Sequence, residues 1–273
     1  MCIRDSSCSL LHTFFVSLMP RFSANIGFLW AGLPLPERIR AAAAAGFEAV
    51  ECHFPYEVEA ADVAKALQET GLPMLGLNTR LGINGADDFG VAARPDRIEE
   101  ARQYIDEALA YAAAIGCRNI NVVPGRTGRR AECETTYRAN LAYACERAAR
   151  QQCGVLIEPI NTRSAPDFHV SLVEQAIETI ESVGKDNLRL MFDTFHIQIM
   201  QGDLLTRLTD ALPHLGHIQI SAVHDRGEPD QGEVDHVWLL GELETLGWQG
   251  FIGAEYRPRT TVEEGLCWMD RFH

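Results

Sequence analysis

Short runs of β-branched and apolar residues recur eight times along the chain: Phe22 to Gly27, Ala49 to Phe54, Met74 to Leu77, Asn119 to Val123, Val155 to Ile160, Leu188 to Asp193, His217 to Ile220 and Ile252 to Glu255. Between them lie longer stretches whose apolar residues return every three or four positions, the period of a helix with one buried face. These run from Pro36 to Ala45, Ala60 to Thr70, Arg97 to Ile115, Glu134 to Gln152, Leu172 to Val183, Leu204 to Leu212 and Val234 to Leu246, with a last one from Val262. Gly46, Gly71, Gly116, Gly154, Gly184 and Gly247 stand where each helix should stop, the place of a left-handed C-cap. Ser171 with Glu174, and Thr261 with Glu264, spell capping boxes at two helix starts. Continuous apolar strands alternating with amphipathic helices predict a parallel sheet covered by helices, and eight such units favour closure into one (β/α)8 TIM barrel over an open sheet. No Gly-x-Gly-x-x-Gly follows any strand, so a dinucleotide would lack its phosphate cradle.

Length and composition agree with a single barrel. The 273 residues slightly exceed the roughly 250 of a typical (β/α)8 domain, and 47% hydrophobic with 23% charged content is ordinary for a globular protein. The excess falls on residues 1–18, which do not fit the barrel pattern; the barrel domain is expected over 19–273. The stretch Leu10 to Leu18 is too short to span a bilayer, and no small-x-small cleavage site precedes Met19, so a mis-called upstream start is favoured over a signal peptide. A formal net charge of −14 without a long Lys/Arg run disfavours nucleic acid as a partner, and no segment implies a membrane. The eight cysteines (Cys2, Cys8, Cys52, Cys117, Cys133, Cys145, Cys153, Cys267) form no Cys-x-x-Cys pair and read as reduced thiols, which points to the cytoplasm.

Candidate chemistry follows from position. Glu158, Asp193, Gln219 and Glu255 lie near the C-terminal ends of the last four apolar runs. In a parallel barrel these ends converge on one mouth, where three carboxylates and an amide oxygen suit a hard divalent cation. Any one of them alone is as readily a salt-bridge partner or a helix N-cap. Four together are not explained that way, and three carboxylates at one mouth repel each other unless a cation neutralises them.

The segments Phe22–Asn25, Phe54–Tyr56, Ile157–Asn161, Asp193–His196, His217–Gln219, Arg226–Pro229 with Gly232 and Glu233, and Gly253–Pro258 closely resemble the hydroxypyruvate isomerase family of xylose-isomerase-like barrels, which includes the 2-oxo-tetronate isomerases. The resemblance runs from about Met19 to the C-terminus. It implies an aldose-ketose type isomerisation of a small hydroxy-carbonyl acid, hydroxypyruvate to tartronate semialdehyde first and 2-oxo-tetronates or another small keto-sugar next. It further implies Glu158, Asp193, Gln219 and Glu255 as ligands of Mg2+ or Mn2+, with Glu158 and Glu255 also as acid and base. Related sugar epimerases carry a histidine at the Gln219 position; an amide oxygen keeps the donor set oxygen-only. A homodimer is expected only by analogy with this class of barrel.

Two further residues have double readings. By resemblance His196 hydrogen-bonds a substrate oxygen; the alternative is an orienter of a carboxylate. Arg226 suits bidentate binding of a substrate carboxylate; the alternative is a surface ion pair with Asp225 or Glu228. His53 and Cys52 read as packing and lining residues, and His224 has no assigned role. The chain departs from the family in Asn78 to Gly90, where Arg80 and Leu81 replace proline or small residues; such loops often line the pocket, so the substrate stays open. A catalytically inert sugar-acid-binding barrel is the rival from another class. Against it stand two carboxylates that binding alone does not need.

Overall fold

The computed structural model describes residues 20–272. The expected extension at 1–18, with Cys2 and Cys8, lies outside the described residues. Eight strands alternate with helices: β1 (Phe22–Asn25), β2 (Ala49–Glu51), β3 (Leu77–Asn78), β4 (Asn119–Asn121), β5 (Gly154–Ile157), β6 (Leu188–Asp193), β7 (Leu215–Ile220) and β8 (Ile252–Ala254). The helices are α1 (Leu35–Ala44), α2 (Ala60–Thr70), α3 (Ile98–Ile115), α4 (Ala131–Ala149), α5 (Val173–Val183), α6 (Thr194–Met200), α7 (Leu204–Ala211), α8 (His236–Thr245) and α9 (Val262–Gly265). All strand pairs are parallel, and the order β2-β1-β8-β7-β6-β5-β4-β3 is that of a ring. Between β2 and β3 the ring closes through one bridge, Val50 to Met74, and through bonds such as Leu75 N to Val50 O at 2.8 Å and Asn78 N to His53 O at 2.8 Å. The expected (β/α)8 barrel is therefore the fold, with its core between strands and helices. In α5, for example, Val173, Ala176, Thr179 and Ile180 are buried, the face that three- and four-residue spacing builds.

Several local expectations change. Gly46, Gly71, Gly116, Gly184 and Gly247 do adopt positive φ near helix ends, but Gly154 does not; Gln152 takes the left-handed position instead, at φ 57°. Gly154 opens β5, and a Cβ there would meet Asn119 Oδ1 at 2.2 Å, so that glycine serves close strand approach. Thr261 and Glu264 form their capping box, whereas Ser171 with Glu174 does not. α5 starts later, at Val173, and Gln175 Oε1 accepts the Ser171 and Leu172 amides while Glu174 turns out to Gln201 and Arg207. α8 begins at His236 and not at Val234 because Asp235 caps it, Oδ1 accepting Trp238 N at 3.1 Å. Helix α6 was not expected from the sequence; Asp193 caps it, its Oδ1 accepting Phe195 N at 2.9 Å.

The six described cysteines are free, five of them buried. Among the described residues no helix is long and apolar enough to cross a membrane.

Loops after β3, β4 and β5 are stitched into one wall at the C-terminal end of the barrel. Gly90 bridges Pro124, Arg126 bridges Phe168, and His169 N donates to Gly125 O at 3.0 Å. Behind this ladder Val123, Ile160, Ala165 and Phe168 cluster with Leu81 and Phe89. The seam needs bare backbone: Gly90 has φ 104°, and a Cβ there would lie 2.4 Å from Val123 O. Gly90→Ala is therefore expected to destabilise the protein by about 1–3 kcal/mol. Urea denaturation reads this, and an unshifted midpoint would show that the loop can slide without cost.

Candidate active site

The strand registers decide which of the predicted residues meet. Asp193, the last residue of β6, pairs with Gln219 on β7, and Gln219 pairs with Gly253 on β8, two residues before Glu255. Glu158 and Glu255 each stand one residue beyond their strands, where the backbone turns outward. All four are at least nine-tenths buried. Glu158, Asp193, His196, Arg226 and Glu255 lie close together; Gln219 sits lower, with Glu158 and Glu255 on the wall of a small interior cleft.

Most of these oxygens have a partner. Asp193 spends Oδ1 on capping α6, while Oδ2 faces Arg226 Nη2 at 3.0 Å and His196 Nε2 at 3.4 Å. The helix-cap alternative thus holds for one oxygen of Asp193 only. Glu158 Oε2 accepts from Asn121 Nδ2 at 3.4 Å, and its Oε1 lies 3.7 Å from His196 Nε2. Glu255 Oε1 is 2.9 Å from His53 Nε2 and 3.2 Å from Arg226 Nη2. Gln219 Nε2 donates to Glu51 Oε2 at 3.2 Å, and the same oxygen is 2.8 Å from His217 Nε2. Because Glu51 Oε2 accepts the Gln219 amide N–H, the amide oxygen is turned away from Glu51. Gly253 makes room for this cluster, since a Cβ there would lie 2.2 Å from Glu51 Oε1 and 2.9 Å from His217 Nε2.

Gln219 Oε1 and Glu255 Oε2 are buried without a hydrogen-bond partner among the described residues. Orphaned buried oxygens are rare because desolvation without a partner is costly. Together with the Glu158 and Asp193 carboxylates they make an oxygen-only donor set that fits a hard divalent ion. The ligand atoms that come within 4.8 Å of one another are those of Glu158, Asp193 and His196, a group that does not include Glu255. His196 is nevertheless a poor ligand. Asn161 N and Nδ2 approach its Nδ1 at 3.2 and 2.6 Å, and Asn161 Oδ1 is occupied by Ser164 N, so Nδ1 accepts and Nε2 carries the proton. His196 is a fixed donor facing the carboxylates, as both of its expected roles require.

Burial, reinforced by Glu255 and Asp193, pushes the Glu158 carboxyl well above the usual carboxylate range. Burial likewise raises Asp193 to about 7, against the pull of Arg226. At Glu255 burial works the same way but is outweighed by Arg226 and His53, which bring it down to about 2. One guanidinium thus does not hold all three carboxyls ionised, as expected for like charges sharing a dry site. Burial, followed by Arg226, holds His196 well below its ordinary value and therefore neutral.

Arg226 pairs with neither Asp225 nor Glu228; Arg259 takes both of those, at 3.0 and 2.6 Å. Arg226 is set by a tight turn after β7, with Arg226 N bonded to Ala222 O at 2.9 Å and a left-handed φ of 60°. Its guanidinium packs between Phe28 and Phe195, 5.2 and 5.0 Å from their ring centroids. These groups line a cavity of about 420 Å³ that also takes in His53, Leu81, Phe89, Phe168 and His224. His53 is more than packing, since it bonds Glu255, and Gly27 leaves space for its ring. Cys52 lines the lower cleft, its thiol pushed up to about 12 by burial. Leu81 faces the cavity, whereas Arg80 turns out to Glu107 at 2.7 Å and Glu57 at 3.2 Å.

Glu51, His217, Asn121 and Asn161 are site residues that the sequence reading passed over. Glu51 carried a usable signal, an acid inside the apolar run Ala49 to Phe54, the same signature that marked Asp193. Asn161 and His217 stand inside segments that carry the family resemblance, while Asn121 carried no signal.

Known proteins similar to this chain share its fold. A family model described as xylose isomerase-like TIM barrel matches residues 39–272. A 2-oxo-tetronate isomerase of Cupriavidus necator is 41% identical, over 92% of this chain and 98% of its own length. The hydroxypyruvate isomerase of Escherichia coli is 36% identical over 93% of this chain and all of its own. A crystal structure from Brucella melitensis, described as an AP endonuclease of family 2, is 37% identical with a TM-score of 0.90, covering 92% of this chain and 98% of that one. With these similarities extending over nearly the whole barrel, the chain belongs to the hydroxypyruvate isomerase family of xylose isomerase-like TIM barrels and is an isomerase.

Proposed function

We propose that the chain isomerises small 2-keto hydroxy acids, interconverting hydroxypyruvate and tartronate semialdehyde. The observation that carries this reading is the pair Glu158 and Glu255, three strands apart around the ring, lining one cavity with His196 and Arg226. Shifting a carbonyl by one carbon needs a proton removed from the hydroxyl-bearing carbon and one returned to its neighbour, through an enediol. Two carboxyls in one pocket supply that traffic, one taking the proton and the other giving one back. His196 Nε2 and the unpartnered buried Arg226 Nε are N–H donors for the two substrate oxygens, whose negative charge grows as the proton leaves. Phe28, Phe195 and Ile160 help keep water from the enediol. Glu158, Asp193, Gln219 and Glu255 would hold Mg2+ or Mn2+, which supplies Lewis-acid polarisation of the carbonyl.

A second reading, 2-oxo-tetronates as substrates, is favoured by a cavity of about 420 Å³, generous for a three-carbon acid, and by the 41% identical relative of that name. The free, mostly buried thiols fit a reducing compartment such as the cytosol.

Assay of hydroxypyruvate, 2-oxo-tetronates and neutral ketoses is expected to show turnover of an acid, lost in EDTA and restored by Mg2+ or Mn2+. No turnover by folded, metal-supplemented protein sinks the isomerase reading; indifference to EDTA removes the metal from it. Glu255→Gln should lower kcat by about 10²–10⁴-fold with an unchanged circular dichroism spectrum, and normal activity would take Glu255 out of proton transfer. Glu51→Gln lets the Gln219 amide turn either way, so divalent-ion affinity measured by calorimetry is expected to fall about 10–100-fold. Wild-type affinity in that variant would mean that something other than Glu51 orients Gln219.

A further inference from the structure

Three guanidiniums line the cavity, those of Arg163, Arg226 and Arg257, in a chain of formal net charge −14. Their electrostatic situations differ. Arg226 is matched by Asp193 and Glu255. Among the described residues Arg163 and Arg257 have no carboxylate partner: Arg163 donates to the His224 backbone oxygen at 3.1 Å, and Arg257 stands 5.2 Å over the Phe28 ring. Asp225 also lines the cavity, but Arg259 occupies both its oxygens, each at 3.0 Å.

Arg257 is nonetheless well placed. Its backbone N donates to Arg226 O at 2.7 Å, and the two guanidiniums use the same Phe28 ring as a platform. A guanidinium resting on an aromatic face keeps its N–H fork free for a planar carboxylate. An unmatched positive rim on an acidic protein also concentrates small anions at the cavity.

We infer that Arg257 and Arg163 form an anion subsite that takes the carboxylate of the substrate, leaving Arg226 to the reacting oxygens. The identity of the ligand rests on the isomerase reading, and the subsite narrows its substrates to acids bearing a free carboxylate, against neutral ketoses of the same length. Arg226 is thereby relieved of the carboxylate-binding role expected for it from sequence.

The test is calorimetric titration with D-glycerate, which carries the carboxylate and two hydroxyls but no keto or aldehyde group to react, in buffer containing Mg2+. Wild-type protein should bind it. Arg257→Gln and Arg163→Gln should each weaken binding about tenfold or more, with Arg257→Lys intermediate because it restores charge without the fork. In turnover the same variants should raise KM for the acid far more than they lower kcat. Absence of glycerate binding by the wild type, or wild-type affinity in the folded double Gln variant, overturns the subsite. Glycerate binding that depends on both arginines, with no acid isomerised, would instead sink the isomerase reading and leave the subsite standing.

Discussion

Three carboxyl groups buried around one guanidinium set the terms for the rest of this site. Asp193 and Glu255 both contact Arg226, Glu158 lies beside them, and burial works against ionisation of all three. Such an arrangement is unfavourable in an unsupported loop. It persists because the carboxyls are mounted at the ends of parallel strands whose registers hold them there, and because the surrounding groups are donors: Asn121, His53, the protonated Nε2 of His196 and the amide of Phe195. The barrel supplies the rigidity that keeps three carboxyls in competition for one positive charge.

Beneath that layer a second one fixes orientation. Glu51, itself bonded to His217, reaches Gln219 from inside the barrel, in space that Gly253 leaves open, and by accepting the amide N–H it fixes which end of the amide faces away. Asn161 plays the corresponding part for His196 by occupying Nδ1. Both devices convert a side chain of ambiguous polarity into one of defined polarity.

Above the carboxyls the wall built by the loops after β3, β4 and β5 shapes the cavity and contributes its apolar lining. Arg80, which marked this chain as unusual, is spent on Glu107 and Glu57, and it is Leu81 beside it that meets the cavity. Any influence of that loop on substrate choice therefore acts through shape at Leu81 and Phe89, while the charge on the rim comes from Arg163 and Arg257.

Periodicity determined the alternation of eight parallel strands with helices and favoured a closed ring over an open sheet. It also placed Glu158, Asp193, Gln219 and Glu255 at one end of that ring, because strand ends in a parallel barrel share a direction. Tertiary structure decided what each does there. Arg226 left its near neighbours Asp225 and Glu228 for Asp193 and Glu255, as Arg259, 31 and more residues away in sequence, took the neighbours first. Helix α6, the move of the cap from Ser171 to Gln175, and the partnership of Glu51 with His217 across 166 positions likewise depend on distant contacts. Local sequence encodes backbone preference and burial, which act over a few residues; pairing of buried charges is settled by which groups the closed ring brings within reach, and that no local pattern records.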